Sequence, residues 1–203
     1  NTMMFEYLPS SISGTTLKDT SSSDVSIGDA YMSSGGCFSG STTSAFKSTC
    51  NTKVYTSYVI QTPKVDLRTF DGFTFEMYAK FTSRTDNQWL FGHGKTSTTS
   101  QGLYIGVAGV HGLMFGIYND DLSSGWFPEL DTWYHLVFTY ENSGSYTKSI
   151  YVDGELKALD LEVRMRTADR TRNYSLVETT DQIQVDFMDS MVKLSTREDT
   201  QKR

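Results

Sequence analysis

Oxygen-bearing and aromatic side chains crowd into one stretch, "YNDDLSSGWF", residues 118–127. Asn119, Asp120 and Asp121 supply the amide and carboxylate oxygens that a hard cation such as calcium takes, with backbone carbonyls to complete the shell. An exposed acidic turn accounts for the same residues without an ion. Trp126 and Phe127 follow, with flat apolar faces of the kind that stack on a sugar ring, although either ring can equally serve a core. These five residues are the candidate metal and ligand groups.

Catalytic groupings are harder to assemble. His93, His111 and His135 lie in separate segments, and no G-x-S-x-G marks a nucleophile. "GHGKT", residues 92–96, ends like a phosphate-binding loop, but Trp89 stands where the opening glycine belongs and no helix is expected to follow. The only basic concentration is "RMRTADRTR", Arg164 to Arg172, interrupted by Asp169. With a net charge of −6, that segment reads as a solvated face, and no nucleic-acid partner is expected. No run approaches the ~18 apolar residues of a membrane span, so insertion is not expected either. Without a Met at position 1 or a basic-then-apolar leader, the chain reads as a processed form or a piece of something longer.

Two cysteines, Cys37 and Cys50, with no CxxC, argue against structural zinc. A disulfide between them and a pair of free thiols both remain open. The surface-like composition leans toward the bridge, worth ~3 kcal/mol for so short a loop, and toward an oxidising compartment. Asn173-Tyr174-Ser175 is the only N-x-S/T triplet, which makes Asn173 the glycosylation candidate and is compatible with secretion.

The elements that must carry these residues are strands. In "FTFEMYAKF", Phe73, Phe75, Met77, Ala79 and Phe81 share one face, while Thr74, Glu76, Tyr78 and Lys80 share the other. That is period two over nine residues. "QWLFGHG", "GLYIGVAG" and "GLMFGIYN" are short apolar runs cut by glycine at hairpin spacing. In "YHLVFTYE", Tyr134, Leu136, Phe138 and Tyr140 share a face, "NSGS" turns the chain, and "KSIYVDGEL" returns with Ile150 and Val152 inward. Asp153-Gly154 suits a type I′ turn, whose two central residues need positive φ. Beyond Gly154 glycine disappears, and 17 of the 45 residues from Leu159 are charged. Alternation in "LEVRMR" and "MDSMVKL" predicts two further strands there.

The expected fold is therefore all-β, a two-sheet antiparallel sandwich or jelly roll. One domain over residues 1–203 is expected, with residues 1–53 a loop-rich lead-in and 196–203 a frayed charged end. Twenty of the first 50 residues are Ser or Thr.

The strand series from "FTFEMYAKF" through "WLFGHG", "GLYIGV", "GLMFGIY" and "LDTWYHLVFTYE" to "IYVDGELKA" resembles the laminin-G-like/concanavalin A-like jelly-roll domains. Trp133, His135, Tyr140, Tyr151, Asp153 and Gly154 match that family's pattern, and Tyr78 stands where it often has Trp. "VDFMDSMVKLSTRE" resembles its closing strand. The resemblance covers about residues 70–158.

The resemblance implies a fold that hosts lectins, adhesion modules, coat proteins and glycan-cleaving enzymes. Glucanases of this fold carry E-x-D followed by another Glu, placing two carboxylates ~5–5.5 Å apart on one strand face. Here only Glu129-Leu130-Asp131 begins that way, and Trp133 or Tyr134 stands where the third acid belongs. The Gln-x-His of alginate-lyase-like members is absent. His135, alternating outward from Leu136, reads as a satisfied structural histidine. Many members bind calcium through loop oxygens, which is what singles out Asn119, Asp120 and Asp121.

A non-catalytic interaction module is expected, at an extracellular, cell or virion surface. In the first version it is a building block of a coat, matrix or filament and docks on neighbouring subunits. In the alternative it is a lectin holding a glycan at Trp126 and Phe127, with or without calcium. A divergent glycan-cleaving enzyme is the third reading.

Overall fold

The computed structural model describes residues 2–13, 16–20, 28–32, 38–40, 46–48, 60–64, 67, 70–81, 88–94, 102–117, 120–142, 146–161, 173–175, 178–179 and 185–195. Strands dominate them, in chain order β1 (Thr2–Ser13), β2 (Thr16–Asp19), β3 (Ala30–Met32), β4 (Phe38–Gly40), β5 (Phe46–Ser48) and β6 (Ile60–Lys64). Next come β7 (Gly72–Phe81), β8 (Gln88–Gly94), β9 (Gly102–Ala108), β10 (Gly112–Ile117), β11 (Asp120–Ser123), β12 (Trp133–Asn142) and β13 (Tyr146–Val152). Last are β14 (Glu155–Leu161), β15 (Asn173–Ser175), β16 (Glu178–Thr179) and β17 (Val185–Ser195). The expected all-β sandwich is observed.

All strand pairings among these residues are antiparallel and form two layers. One layer runs β14-β13-β12-β7-β17-β1. The other runs β6-β15-β8-β9-β10-β11, with β16 also on β8. Strands β2 and β3 carry the hydrogen-bonded ladder round from β1 to β6.

Alternation in β7 works as its sequence predicts: Phe73, Phe75, Met77, Ala79 and Phe81 are buried, and Tyr78 is exposed. Leu136, Phe138 and Tyr140 of β12 and Ile150 and Val152 of β13 join them in the core. The facing layer contributes Phe91, Leu103, Ile105, Leu113, Phe115 and Ile117. Aromatic contacts tie the layers: Phe75 meets Phe91 at 4.1 Å, Phe73 meets Phe115 at 6.2 Å, and Phe138 meets Phe115 edge-on at 6.1 Å. Such pairs add about 0.5–1.5 kcal/mol each beyond the area they bury.

The Asp153-Gly154 turn joins β13 to β14 with φ of 50° and 80°, the positive values a type I′ turn requires. Gly154 meets this at no steric cost. Asp153 also braces the turn, its Oδ1 accepting from the His135 backbone N–H at 2.8 Å.

The stretch expected as a loop-rich lead-in supplies strands β1 to β5. Strand β1, twelve residues long, pairs with β17 from Thr2 to Tyr7 and with β2 at Tyr7, Ile12 and Ser13. The pairing satisfies backbone groups whatever the side chains, and Thr itself suits a pleated surface. Strand β17 is likewise inserted between β1 and β7, with Val192 opposite Phe75. Of "LEVRMR", Leu161 ends β14 and the rest lies outside the described residues, as do Cys37, Cys50 and residues 196–203.

Candidate functional site

Turning Phe75, Met77 and Ala79 inward forces Glu76, Tyr78 and Lys80 onto the outer surface of the same layer. Register then decides what they meet. Lys80 lies opposite Trp133, Tyr78 opposite His135, and Glu76 opposite Val137, which in turn lies opposite Tyr151. The result is an aromatic and polar ladder on the outer face of β7, β12 and β13.

Its contacts are specific. The Tyr78 and His135 rings stack at 4.7 Å with 24° between planes. His135 Nε2 lies 2.7 Å from Glu76 Oε1, a diagonal cross-strand pair. With the carboxylate accepting, Nε2 is the donor. The Lys80 ammonium sits 5.4 Å from the Trp133 ring centroid, a cation–π contact. Tyr78 is 37% exposed, and the side chains of Glu76 and His135 are 33% and 27% exposed, so solvent or a ligand reaches all three. Flat rings beside a carboxylate and an imidazole can stack on a sugar's C–H face and bond its hydroxyls.

The sequence-predicted groups are spread over other places. Trp126 is half-buried against the core and meets Tyr134 edge-on at 4.9 Å, and its carbonyl accepts from the Leu113 N–H. Phe127 beside it is exposed. Glu129 and Asp131 are exposed on the connection between β11 and β12, and Asp131 has φ of 59°. Neither holds the strand position that a paired-carboxylate mechanism needs.

Asp120 and Asp121 are consecutive in β11 and therefore face opposite ways. Asp120 turns to Lys148, whose Nζ lies 2.5 Å from the Asp120 carbonyl oxygen and 3.3 Å from its Oδ1. Asp160 Oδ2 stands 3.8 Å from the same ammonium. Asp121 accepts instead from the Tyr104 hydroxyl. The two carboxylates thus have different partners, and the Lys148 ammonium lies on the Asp120 side. Among the described residues no cluster of three or more His, Cys, Asp and Glu is placed to hold a metal. Asn119 lies outside them.

Lys148 itself is fully buried. Burial holds its ammonium below the usual lysine range, with Asp120 and then Asp160 offsetting part of the shift. Its place was readable, because it shares parity with Ile150 and Val152.

His111 is exposed at the β9–β10 turn, where its carbonyl accepts from the Gly125 N–H and the Ser123 hydroxyl. Gly92, His93 and Gly94 run in β8, with no helix at the "GHGKT" segment's described residues. Asn173 pairs through its backbone with Lys64. Arg164 to Arg172 lie outside the described residues, and among the described residues no helix is long and apolar enough to cross a membrane.

The laminin G family model described as the concanavalin A-like lectin/glucanases superfamily matches residues 55–177, more than half of the chain. No curated protein matches the sequence. Among solved structures, the binding domain of Paraclostridial Mosquitocidal Protein 1 is similar at a TM-score of 0.65 and 10% identity, over 95% of this chain and 49% of that one. A structure titled for the cell entry of botulinum neurotoxin type C through two ganglioside molecules is similar at 0.61 and 12%, over 96% and 48%. Trypanosoma rangeli sialidase in complex with sialic acid is similar at 0.63 and 16%, over 96% and 31%. This chain thus spans about half or less of each of these chains, and at such identities the likeness is one of fold.

Proposed function

This chain belongs to the concanavalin A-like lectin/glucanase superfamily, and from that premise we propose that it is a non-catalytic glycan-binding module of an extracellular or particle surface. The observation that carries the reading is the outer ladder of β7, β12 and β13. Tyr78 stacks on His135, His135 bonds Glu76, and Lys80 covers Trp133, all within reach of solvent. A saccharide needs an apolar plane and directional polar groups side by side, and this face offers both. Two of the structures similar in fold are named with saccharide ligands, a ganglioside and sialic acid, which supports the class of partner. The placement of Glu129 and Asp131 on a connection supports a binding role over hydrolysis.

A glycan array with the full chain and its Tyr78→Ala and His135→Ala variants tests the reading. Specific signal that both substitutions reduce at least tenfold is expected. A blank array from folded protein, or signal indifferent to both substitutions, overturns it and returns the assembly-block reading to first place.

A further inference from the structure

The same outer face does not end at Tyr151. Its cross-strand partner on β14 is Leu156, so one row runs Glu76, Val137, Tyr151, Leu156 across four strands. The next row runs Thr74, Thr139, Ser149, Leu159, and the one beyond it ends at Leu161 opposite Thr147. Leu156, Leu159 and Leu161 are 47%, 50% and 60% exposed. Alternation would have given an outer face of β14 polar residues, as on β7. The face instead grades from aromatic and charged at β7 to aliphatic at β14.

Three leucines, each about half exposed, make a patch well short of the about 800 Å² per partner that a stable protein interface buries. Strand addition is disfavoured as well. Glu155 and Lys157 form a 2.8 Å ion pair on this strand, and charges of this kind blunt a sheet edge. Among the described residues β14 pairs with β13 alone. The patch is sized for a short hydrocarbon group, and its continuity with the ladder says what that group is attached to. Strands lie about 4.8 Å apart, so a ligand crosses from β12 to the β14 leucines in about 10 Å.

We infer that the saccharide bound on the β7–β12–β13 face carries an apolar aglycone, and that Leu156 and Leu159 hold it. The inference rests on the glycan-binding reading. It makes the partner a glycoconjugate with a hydrocarbon portion, the polar head on Tyr78, His135 and Glu76 and the tail across Tyr151 onto β14.

The test displays one set of saccharides twice, on octyl and on oligoethylene-glycol spacers, with sugar-free octyl spots as a control. The full chain is compared with a Leu156→Thr/Leu159→Thr double variant, which keeps strand propensity, and with Leu161→Thr. Signal at least tenfold higher on octyl-linked sugars, falling in the double variant to the level of the hydrophilic spacer, is expected. Equal signal on both spacers, or an octyl advantage unchanged in the folded double variant, overturns the inference and leaves the glycan reading standing. Binding to sugar-free octyl spots equal to that on octyl-linked sugars, or blank arrays throughout, overturns both.

Discussion

The Lys148 ammonium and the Asp120 carbonyl oxygen, 2.5 Å apart, join β13 of one layer to β11 of the other. On the far side of the molecule the layers are joined by hydrogen bonding through β2 and β3. On this side a side chain does the work. Lysine carries a positive charge into a position whose neighbours in alternation are Ile150 and Val152. Desolvation opposes this, and Asp120 and Asp160, which face the ammonium, offset part of it.

The two ends of that pair should therefore respond unequally to mutation. Lys148→Met fills the same volume without a buried charge and leaves Asp120, 28% exposed, free to hydrate. Its cost should stay within about 1 kcal/mol, as for many buried charges replaced by apolar groups of like size. Asp120→Ala removes the nearer carboxylate and leaves the buried ammonium with the residue-120 backbone carbonyl and the more distant Asp160, and should cost about 3 kcal/mol. Urea unfolding of both variants checks the order; a larger loss in Lys148→Met would mean the lysine is net stabilising. The pH dependence has a definite sign. A lysine with a lowered folded value binds fewer protons folded than unfolded, so its contribution to stability rises with pH between that value and the ordinary 10.5. Lys148→Met should flatten that rise.

Calcium should leave the protein's stability unchanged. Asp120 and Asp121 point to different partners, Lys148 and Tyr104, and the point on which Asp120 and Asp160 converge holds the Lys148 ammonium. Melting temperature measured with millimolar calcium and again with chelator should agree within about 1 °C. An increase of several degrees, reflecting binding to the native state alone, would contradict this.

The His135–Glu76 pair separates binding from folding. Both side chains are about one-third exposed or less, and a partly solvated pair contributes about 1 kcal/mol or less to stability. Glu76→Gln keeps the size and an acceptor oxygen but frees the imidazole to turn or change tautomer. Glycan affinity should fall about tenfold while the unfolding free energy changes by less than about 1 kcal/mol. Equal losses in folding and binding, read from one preparation by denaturation and titration, would assign the pair to the scaffold only.

Much of this was legible because it is local. Alternation in β7 identified its buried and exposed sides, and Asp153-Gly154 announced its turn, since both depend on neighbours in sequence. The outer residues Glu76, Tyr78 and Lys80 were identifiable, but not their partners. His135 is 59 positions from Glu76, and only the β7–β12 register brings them together. Asp120 and Asp121 looked alike in sequence and were separated by the pleat. Strand β1 was the least legible, because its Ser residues give a weak alternation and its pairing over Thr2 to Tyr7 is with β17, at the opposite end of the chain.

Gly116 offers the sharpest test of the second layer's outer face. A Cβ there would lie 2.0 Å from the Tyr104 ring, which crosses the glycine to reach Asp121. No conformational argument is needed, because the space is filled by a side chain. Gly116→Ala should destabilise by about 2 kcal/mol, within the range of overpacked sites. Since the obstacle is a ring and not backbone, removing it should relieve the clash. Tyr104→Ala will itself cost stability, through lost contact with Trp89 at 4.9 Å and a lost hydrogen bond to Asp121. The double variant should nonetheless be more stable than the sum of the single losses by at least about 1 kcal/mol, the non-additivity of residues in contact. Strict additivity in a thermal or urea double-mutant cycle would mean that the Tyr104 ring does not lie over Gly116 in solution.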